Sequence, residues 1–295
     1  MRVTLHQLNV FAAVAANRSV TLAAREMHMT QPAVSNIIKQ LQIYYDCSLV
    51  EVIGRQLSLT QFGEILYRYC HDIEQSLSSA RSEISLLKGG VCGELRVATV
   101  TTAKYFVPRL LGQFKQHNTD VHIKLTVCNR QETLDRLQAN KDDFVIMSHP
   151  PTSAAVDCAD FFDDELVVIA HPDFVQQQPP VTSLKALAEA PWIMREPGSG
   201  TRYATEAIFA RYHFIPHVEM EISDNEAIKQ AVMAGMGISV VSRQSVANEV
   251  ADQQIVILPI KQFPVFHEWY MVKNAGKALS PIAEKFYHFV SQEKS

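Results

Sequence analysis

One long helical stretch decides how this chain can be divided. Residues 64–88 contain neither glycine nor proline, and Gly89, Gly90 and Gly93 follow them closely. An uninterrupted stretch of this kind predicts a single long helix, and the glycines predict its end. Short helices with polar turns precede this helix, and apolar strands alternating with amphipathic helices follow it. A chain of 295 residues suffices for about two domains. We therefore expect one domain over residues 1–63, a linker over 64–90 and a second domain over 91–295.

Residues 19–35 predict a helix-turn-helix. Thr30 caps the second helix, and Pro32 lies in its first turn, where a missing N–H costs nothing. The small side chains of Ala23 and Ala24 allow the two helices to cross closely, as this motif requires.

The polar face of the second helix suits the DNA major groove. Gln and Asn pair with adenine, Ser donates or accepts, and Lys meets phosphate or guanine, although an ordinary exposed face has the same composition. Residues 49–60 then predict a two-stranded wing, with Arg55 at its tip against the sugar-phosphate backbone. The predicted DNA-contacting residues are Thr30, Gln31, Pro32, Ser35, Asn36, Lys39 and Arg55.

Composition excludes several classes of protein. Lys+Arg 27 against Asp+Glu 31 argues against a protein that coats nucleic acid, but not against one small DNA-reading domain. The five cysteines form no CxxC pair, so neither a disulfide framework nor a zinc site is expected. No run approaches the ~20 apolar residues of a membrane span. We expect no cofactor, no membrane partner and a cytoplasmic location.

The linker helix carries a seam for self-association. Its apolar residues alternate four and three positions apart, which is the spacing of a coiled-coil stripe. About 24 helical residues span ~36 Å, too far for the first domain to cover alone. A dimer also suits the reading of paired half-sites on DNA. The seam residues are Ile73, Leu77, Ala80, Ile84 and Leu87.

After the linker, apolar strands alternate with amphipathic helices. This α/β pattern predicts parallel sheets with helices on both faces. The predicted strands are 94–100, 121–127, 144–147, 166–171, 192–195, 218–222, 238–242, 255–258 and 268–272.

Three of the strand-to-helix junctions are suited to an anion. They combine hydroxyls and a cation with free N–H groups at helix starts, near the carboxyl ends of strands. Each junction alone reads as an ordinary cap, but together they favour a binding cleft. The ligand-contacting residues predicted at these junctions are Thr101, Thr102, Lys104, Glu196, Ser199, Gly200, Thr201, Arg202 and Asn225.

Residues 30–35, Thr-Gln-Pro-Ala-Val-Ser, and the wing pattern Gly-Arg…Leu-x-Leu-Thr-x-x-Gly ending at Gly63 resemble the LysR-type transcriptional regulators. The resemblance covers the whole chain. It implies a winged helix-turn-helix, antiparallel linker helices, and a regulatory domain with two α/β lobes like those of periplasmic binding proteins. Lobe I would comprise about 91–162 and 267–295, and lobe II about 163–266. Double-stranded DNA, RNA polymerase and further copies, as a homodimer or a homotetramer, are the implied partners. Val50-Glu51-Val52 departs from the family's Phe-Glu-Arg and removes a phosphate contact.

Residues 102–111, 195–202, 223–232 and 279–281 resemble the subgroup that regulates carbon-fixation operons. This resemblance implies control of RuBisCO or bicarbonate-transport genes. The implied effector is a phosphorylated metabolite: ribulose 1,5-bisphosphate, 2-phosphoglycolate or NADPH. Where the subgroup often has Gly-Arg-Pro-Pro, this chain has Ser-His-Pro-Pro, so His149 would supply a phosphate contact that is charged only when protonated.

Other functions remain open from the residues alone. A LysR-type regulator of an unrelated operon would have the same motifs. The two lobes would also suit a solute-binding protein, but that class needs an export signal, which the amino terminus does not supply. An enzyme is the least favoured class, because the available histidines and cysteine form no nucleophile elbow, P-loop or metal spacing. Those candidates are His117, His122, His171, His213 and Cys128.

Overall fold

The computed structural model describes residues 2–54, 56–87, 93–152, 155–176 and 181–293. The chain forms two compact units. The first contains Met1–Gly93 together with Gln138–Lys141, and the second contains Glu94–Leu137 and Asp142–Ser295. No helix in the described part of the chain combines the length and the apolar composition that crossing a bilayer requires.

The first unit contains four helices and one hairpin among its described residues. Their bounds are α1 Leu5–Asn17, α2 Val20–Glu26, α3 Gln31–Tyr45, β1 Val50–Ile53, β2 Gln56–Leu59 and α4 Gln61–Leu87. The predicted start of the second helix of the motif is confirmed. The Thr30 side chain accepts from the Ala33 backbone N–H at the start of α3, with proline in the first turn. Ser19 caps α2 in the same way by accepting from Leu22.

Helix α3 packs through one apolar stripe against α1 and α2. Its inward residues are those predicted from the sequence: Val34, Ile37, Ile38 and Leu41, all buried. Ala23 and Ala24 of α2 are 0% and 4% exposed, so their small side chains do let the helices cross closely. The polar face of α3 is consequently left at the surface.

The wing meets the start of α4 at a position that only glycine can occupy. A Cβ atom on Gly63 would lie 2.0 Å from the carbonyl oxygen of Leu49. Thr60 fixes this junction, since its hydroxyl donates to the Ser48 carbonyl at 2.6 Å and accepts from the Gly63 N–H at 3.1 Å. Arg55, the predicted wing tip, lies outside the described residues.

Helix α4 contains 27 residues and begins at Gln61, before the predicted start at residue 64. The predicted stop at Gly89 and Gly90 lies outside the described residues, as does the side chain of Leu87. Of the predicted seam, Leu77 is 46% and Ile84 is 54% exposed on the surface of this unit.

The second unit is α/β, as predicted. Its strands are β3 Gly93–Val100, β4 Val121–Cys128, β5 Phe144–Met147, β6 Val156–Ala170, β7 Pro191–Arg195, β8 His217–Ile222, β9 Ser239–Ser242, β10 Val256–Ile257 and β11 Val265–Asn274. Its α-helices are α5 Val107–Gln116, α6 Arg130–Gln138, α7 Pro172–Gln176, α8 Gly200–Arg211, α9 Asn225–Met233, α10 Ala247–Ala251 and α11 Pro281–Glu293. Short 3₁₀ helices occupy Thr101–Tyr105, Leu184–Leu187 and Arg243–Val246.

The predicted parallel pairing of strands holds for only part of the second unit. Strands β3 and β5 pair in parallel, and so do β7 and β8. By contrast, β6 and β11 are long antiparallel partners, of which the sequence predicted only residues 166–171 and 268–272. The first half of β6, Val156–Glu165, contains four aspartates, three of them exposed, as an antiparallel strand that is partly in water allows, while Asp164 is 3% exposed. The segment therefore lacks the continuous apolar run that marks a buried strand.

Strands β6 and β11 hold the second unit together. The main sheet has seven strands in the order β10-β6-β11-β5-β3-β4, and β9 also pairs with β6. At one end, β11 pairs with β5 through Tyr270–Val272. At the other, β6 pairs with β9 through Leu166–Ile169. These two strands therefore connect the half that contains β3–β5 to the half that contains β7–β9.

Candidate ligand cleft and DNA-reading helix

A cleft opens where β3, β5 and β7 end. It is open to solvent and lies at the carboxyl ends of strands, where ligands of α/β sheets bind. Its lining residues are Val100, Thr101, Thr102, Arg130, Met147, Ser148, Arg195, Glu196, Ser199 and Gly200. The strand-to-helix junctions after β3 and β7, singled out from the sequence, thus face one another across it.

The predicted residues Thr101, Thr102, Glu196, Ser199 and Gly200 line the cleft. The other five lie beside it or engage other groups: Lys104, His149, Thr201, Arg202 and Asn225.

Those other side chains have partners of their own. Lys104 Nζ is 3.6 Å from Asp224 Oδ2. Arg202 binds Glu206 at 2.6 Å and Glu221 at 2.8 Å. Thr201 is 8% exposed, on the inner side of α8. Helical starts point side chains in several directions, so a junction motif alone does not fix which of its residues face the ligand.

Arg195 belongs to the cleft wall, although it was not among the predicted contacts. Its side chain is buried, and Glu196 accepts from it at 2.8 and 2.9 Å. Asn225, at the start of α9, accepts from Arg195 Nη1 at 2.7 Å. The Nδ2 group of Asn225 is buried and donates to no group in the described part of the chain. The positive charge of Arg195 is therefore compensated, while Asn225 retains a free donor.

Arg130 is the cleft residue that sequence reasoning missed. It is the first residue of α6, and its Nη1 donates to the His149 carbonyl at 2.6 Å. Burial lowers the pKa of Arg130. Among the described residues no carboxylate forms an ion pair with it. The missed signal is that Arg130 comes two residues after the end of β4, at another strand-to-helix junction.

Gly200 brings two walls of the cleft close together. A Cβ atom there would lie 2.8 Å from Ser148 Oγ and 3.3 Å from His149 Nδ1. Ser148 Oγ and His149 Nδ1 are themselves 3.0 Å apart. Burial, together with the nearby charges of His267 and Arg130, lowers the pKa of His149 below its ordinary value. The imidazole is therefore neutral near pH 7.

Metal chemistry has no visible support in the described residues. They contain no group of three or more His, Cys, Asp or Glu side chains arranged to hold a metal ion.

In the first unit, α3 presents the predicted polar face to solvent. Its predicted DNA-contacting residues are all exposed: Thr30, Gln31, Pro32, Ser35, Asn36 and Lys39. Gln40, at the edge of this face, is half-buried and accepts from Gln7 at 2.9 Å. Gln42 ties the helix to the wing, because its Oε1 accepts from the backbone N–H of Leu49 at 3.0 Å.

Comparison with known proteins assigns both units. The family model described as the bacterial regulatory helix-turn-helix protein, lysR family, matches residues 5–64. The model of the LysR substrate binding domain matches residues 88–295.

Individual relatives match over almost the whole chain. The RuBisCO operon transcriptional regulator of Allochromatium vinosum is 42% identical over 294 residues, which is 99% of this chain and 97% of that protein. The transcriptional activator CmpR of Synechocystis sp. is 42% identical over 97% of this chain and 94% of that protein.

A solved structure matches the second unit. It is the regulatory domain of CcmR from Synechocystis PCC6803 in complex with 2-PG, with a TM-score of 0.64 and 40% identity over 68% of this chain and 97% of that one. The matched families are parts of regulators rather than of enzymes or solute-binding proteins. The chain belongs to the LysR family of transcriptional regulators, with a helix-turn-helix that binds DNA.

Proposed function

We propose that this regulator controls carbon-fixation genes in response to a small phosphorylated metabolite, which binds in the cleft. The observation that carries the proposal is Arg130, a half-buried cation without a carboxylate partner among the described residues, on the wall of a cleft lined by hydroxyls. Relatives 42% identical along nearly their whole length are named for the RuBisCO operon or as CmpR, which supports the gene set.

The chemistry of the cleft favours an anion. Thr101, Thr102 and Ser199 offer hydroxyls, and α8 begins at Gly200 with the unpaired N–H groups of a helix N-terminus. Because Glu196 compensates Arg195, the net positive charge comes from Arg130. A phosphate group can accept from all of these donors at once.

Among the proposed effectors, 2-phosphoglycolate has the strongest support. The CcmR regulatory domain, at 40% identity, was solved with 2-PG bound. Ribulose 1,5-bisphosphate and NADPH remain the alternatives, and the experiment below separates them.

The response to the effector follows from the way the cleft is built. Its walls belong to the two halves of the second unit that β6 and β11 connect. A ligand that contacts both walls favours the arrangement in which they are close, and so shifts the population between two states. This shift would alter how the assembled protein bends its operator DNA.

The proposed DNA contacts lie on α3 and the wing. Gln31, Ser35 and Asn36 would read base edges in the major groove, while Lys39 and Arg55 would contact phosphates. Exposed apolar residues of α4 would join two copies, and a tetramer would cover paired half-sites and meet RNA polymerase. The domain limits 1–63, 64–90 and 91–295, and a cytoplasmic location, belong to the same proposal.

Calorimetric titration of the full-length protein tests the effector. The ligands are 2-phosphoglycolate, ribulose 1,5-bisphosphate and NADPH. Glycolate and inorganic phosphate serve as controls, because they represent the two chemical parts of 2-phosphoglycolate. We expect 2-phosphoglycolate to bind and glycolate to fail. If none of the three metabolites binds at a concentration of about 1 mM, the cleft does not read a phosphorylated effector of this kind.

A further inference from the structure

A chain of polar contacts joins the turn that carries Thr101 and Thr102 to the start of helix α9. Tyr105 ends the 3₁₀ helix Thr101–Tyr105, and its hydroxyl donates to Glu226 Oε1 at 2.5 Å. The two residues belong to opposite halves of the second unit. This contact therefore joins the two halves of the unit beside the cleft.

Glu226 is held from its other side by a buried cation. Lys229 is 4% exposed, and its Nζ lies 3.0 Å from Glu226 Oε2 and 2.7 Å from Glu249 Oε1. It also donates to the Ser245 carbonyl at 3.0 Å. All three ammonium protons thus have acceptors, so the position of the Glu226 carboxylate is closely defined.

The ring of Tyr105 also has partners, in addition to those of its hydroxyl. The ammonium groups of Lys229 and Lys104 lie 5.1 and 5.4 Å from its centroid, both within cation–π range. Lys104 also pairs with Asp224, directly before α9, which makes a second contact between the same two segments. Burial, the hydrogen bond to Glu226 and nearby carboxylates raise the pKa of the Tyr105 phenol, so it remains a donor at neutral pH.

Adjacent residues at the start of α9 hold both walls of the cleft. Asn225 orients Arg195 on the β7 side at 2.7 Å, and Glu226 binds Tyr105 on the β3 side. A displacement of this helix start would move both walls together.

We propose that Tyr105, Glu226 and Lys229 form a latch, in which Tyr105 is a positioning residue that holds the Thr101 and Thr102 hydroxyls at the cleft before the effector arrives. The inference rests on the proposed function, because it assigns a role in effector binding. The latch lowers the ordering cost of binding, since the hydroxyls are already placed.

The test uses the full-length protein and Tyr105→Phe, which keeps the ring and its cation contacts and removes only the hydroxyl. Tyr212→Phe is the matched control, because Tyr212 is 47% exposed at the end of α8. The first measurement is amide hydrogen exchange of residues 101–106 without any ligand. The second is the affinity for 2-phosphoglycolate.

We expect Tyr105→Phe to speed exchange in this segment and to weaken 2-phosphoglycolate binding, each by about tenfold, as loss of a hydrogen bond to a charged group predicts. Glu226→Gln should act in the same direction, and the two changes should be less than additive, because they break one contact. Tyr212→Phe should match the unmodified protein in both measurements.

Unchanged exchange in Tyr105→Phe would overturn the latch. Faster exchange with unchanged affinity would overturn its role in positioning the hydroxyls. If the unmodified protein does not bind 2-phosphoglycolate, the effector assignment fails, yet the exchange measurement still decides whether the latch holds the turn. The two failures are therefore distinguishable.

Discussion

Arg195 and Glu196, neighbours in the chain, form a two-point ion pair in the wall of the cleft, with distances of 2.8 and 2.9 Å. A guanidinium matched in this way has little charge left for a ligand, although it keeps the wall rigid. Arg130, which also lines the cleft, contacts only a backbone carbonyl through its Nη1 among the described groups, so its charge remains available to a ligand.

Arg130→Gln should weaken effector binding by about 10- to 100-fold, because a charge-assisted contact to phosphate is lost. DNA binding without effector should persist. Titration with 2-phosphoglycolate measures the effect, and Lys124→Gln, on an exposed position of β4, controls for the loss of one positive charge. Equal loss in both variants would mean that net charge, rather than the position of Arg130, governs binding.

Lys39→Ala should weaken DNA binding to a similar degree for all sequences and lower the slope of log affinity against log salt by about 1, since one phosphate contact disappears. Arg55→Ala should behave in the same way. Lys285→Ala, exposed on α11, is the control. Unchanged DNA affinity at physiological salt would remove the altered residue from the interface.

Gly63→Ala should destabilise the first unit by more than about 2 kcal/mol, because its Cβ would lie 2.0 Å from the Leu49 carbonyl oxygen. Gly112→Ala, in α5, is the opposite case, since a Cβ there meets nothing within 4 Å. It should stabilise its helix by about 0.5–1 kcal/mol. Denaturant unfolding of both variants measures the two effects, and equal changes would contradict the close approach at Gly63.

Acidification should destabilise the second unit through His267. Burial lowers the pKa of His267 below the ordinary 6.5, although Asp164, 3.8 Å from its Nε2, acts in the opposite direction. The unfolded chain therefore binds this proton at higher pH than the folded one does. The resulting stability is present above about pH 6.5 and is lost as the pH falls through the lowered folded pKa.

His267→Gln should flatten the part of the pH–melting curve between about pH 7.5 and 5.5, since glutamine does not titrate. His217→Gln is a suitable control, because that ring is 59% exposed. A curve of unchanged steepness in His267→Gln would show that other groups take up the protons.

Leu77→Asp combined with Ile84→Asp should dissociate the proposed dimer or tetramer, because both apolar side chains are exposed on α4 and would face the partner helix. Light scattering after size-exclusion chromatography gives the mass in solution. Glu83→Asp, also at an exposed position of this helix, is the control and should keep the mass of the unmodified protein. A mass equal to that of the unmodified protein would place the interface elsewhere.

Local chemistry explains which parts of the fold could be predicted. Thr30 and Val34 were placed correctly because a cap and an apolar stripe depend on residues within one or two turns. Strand β6 was largely missed, since its four aspartates, of which Asp164 is buried, interrupt the alternation of apolar and polar residues. Its partner β11 lies about a hundred residues further along the chain, and no local signal announces such a pairing.

The residues of the cleft also fall into those that local sequence predicts and those that only the folded chain reveals. Thr101 and Ser199 were found because hydroxyls at strand ends are visible in the sequence. Arg130 was missed because it reaches the cleft only through the way the connection from β4 to α6 folds. Lys104 and Arg202 were predicted as ligand contacts but bind Asp224 and Glu221, and such pairings depend on how segments pack.

The most direct test of the whole account is a footprint of the full-length protein on DNA upstream of its own gene and the neighbouring genes. It is run at one fixed salt concentration, with and without 2-phosphoglycolate. We predict protection of paired half-sites, with a change in its length or in a hypersensitive bend when the metabolite is added. An identical footprint with 2-phosphoglycolate, ribulose 1,5-bisphosphate and NADPH would contradict a phosphorylated effector, and no protection on any of these regions would contradict the proposed target genes.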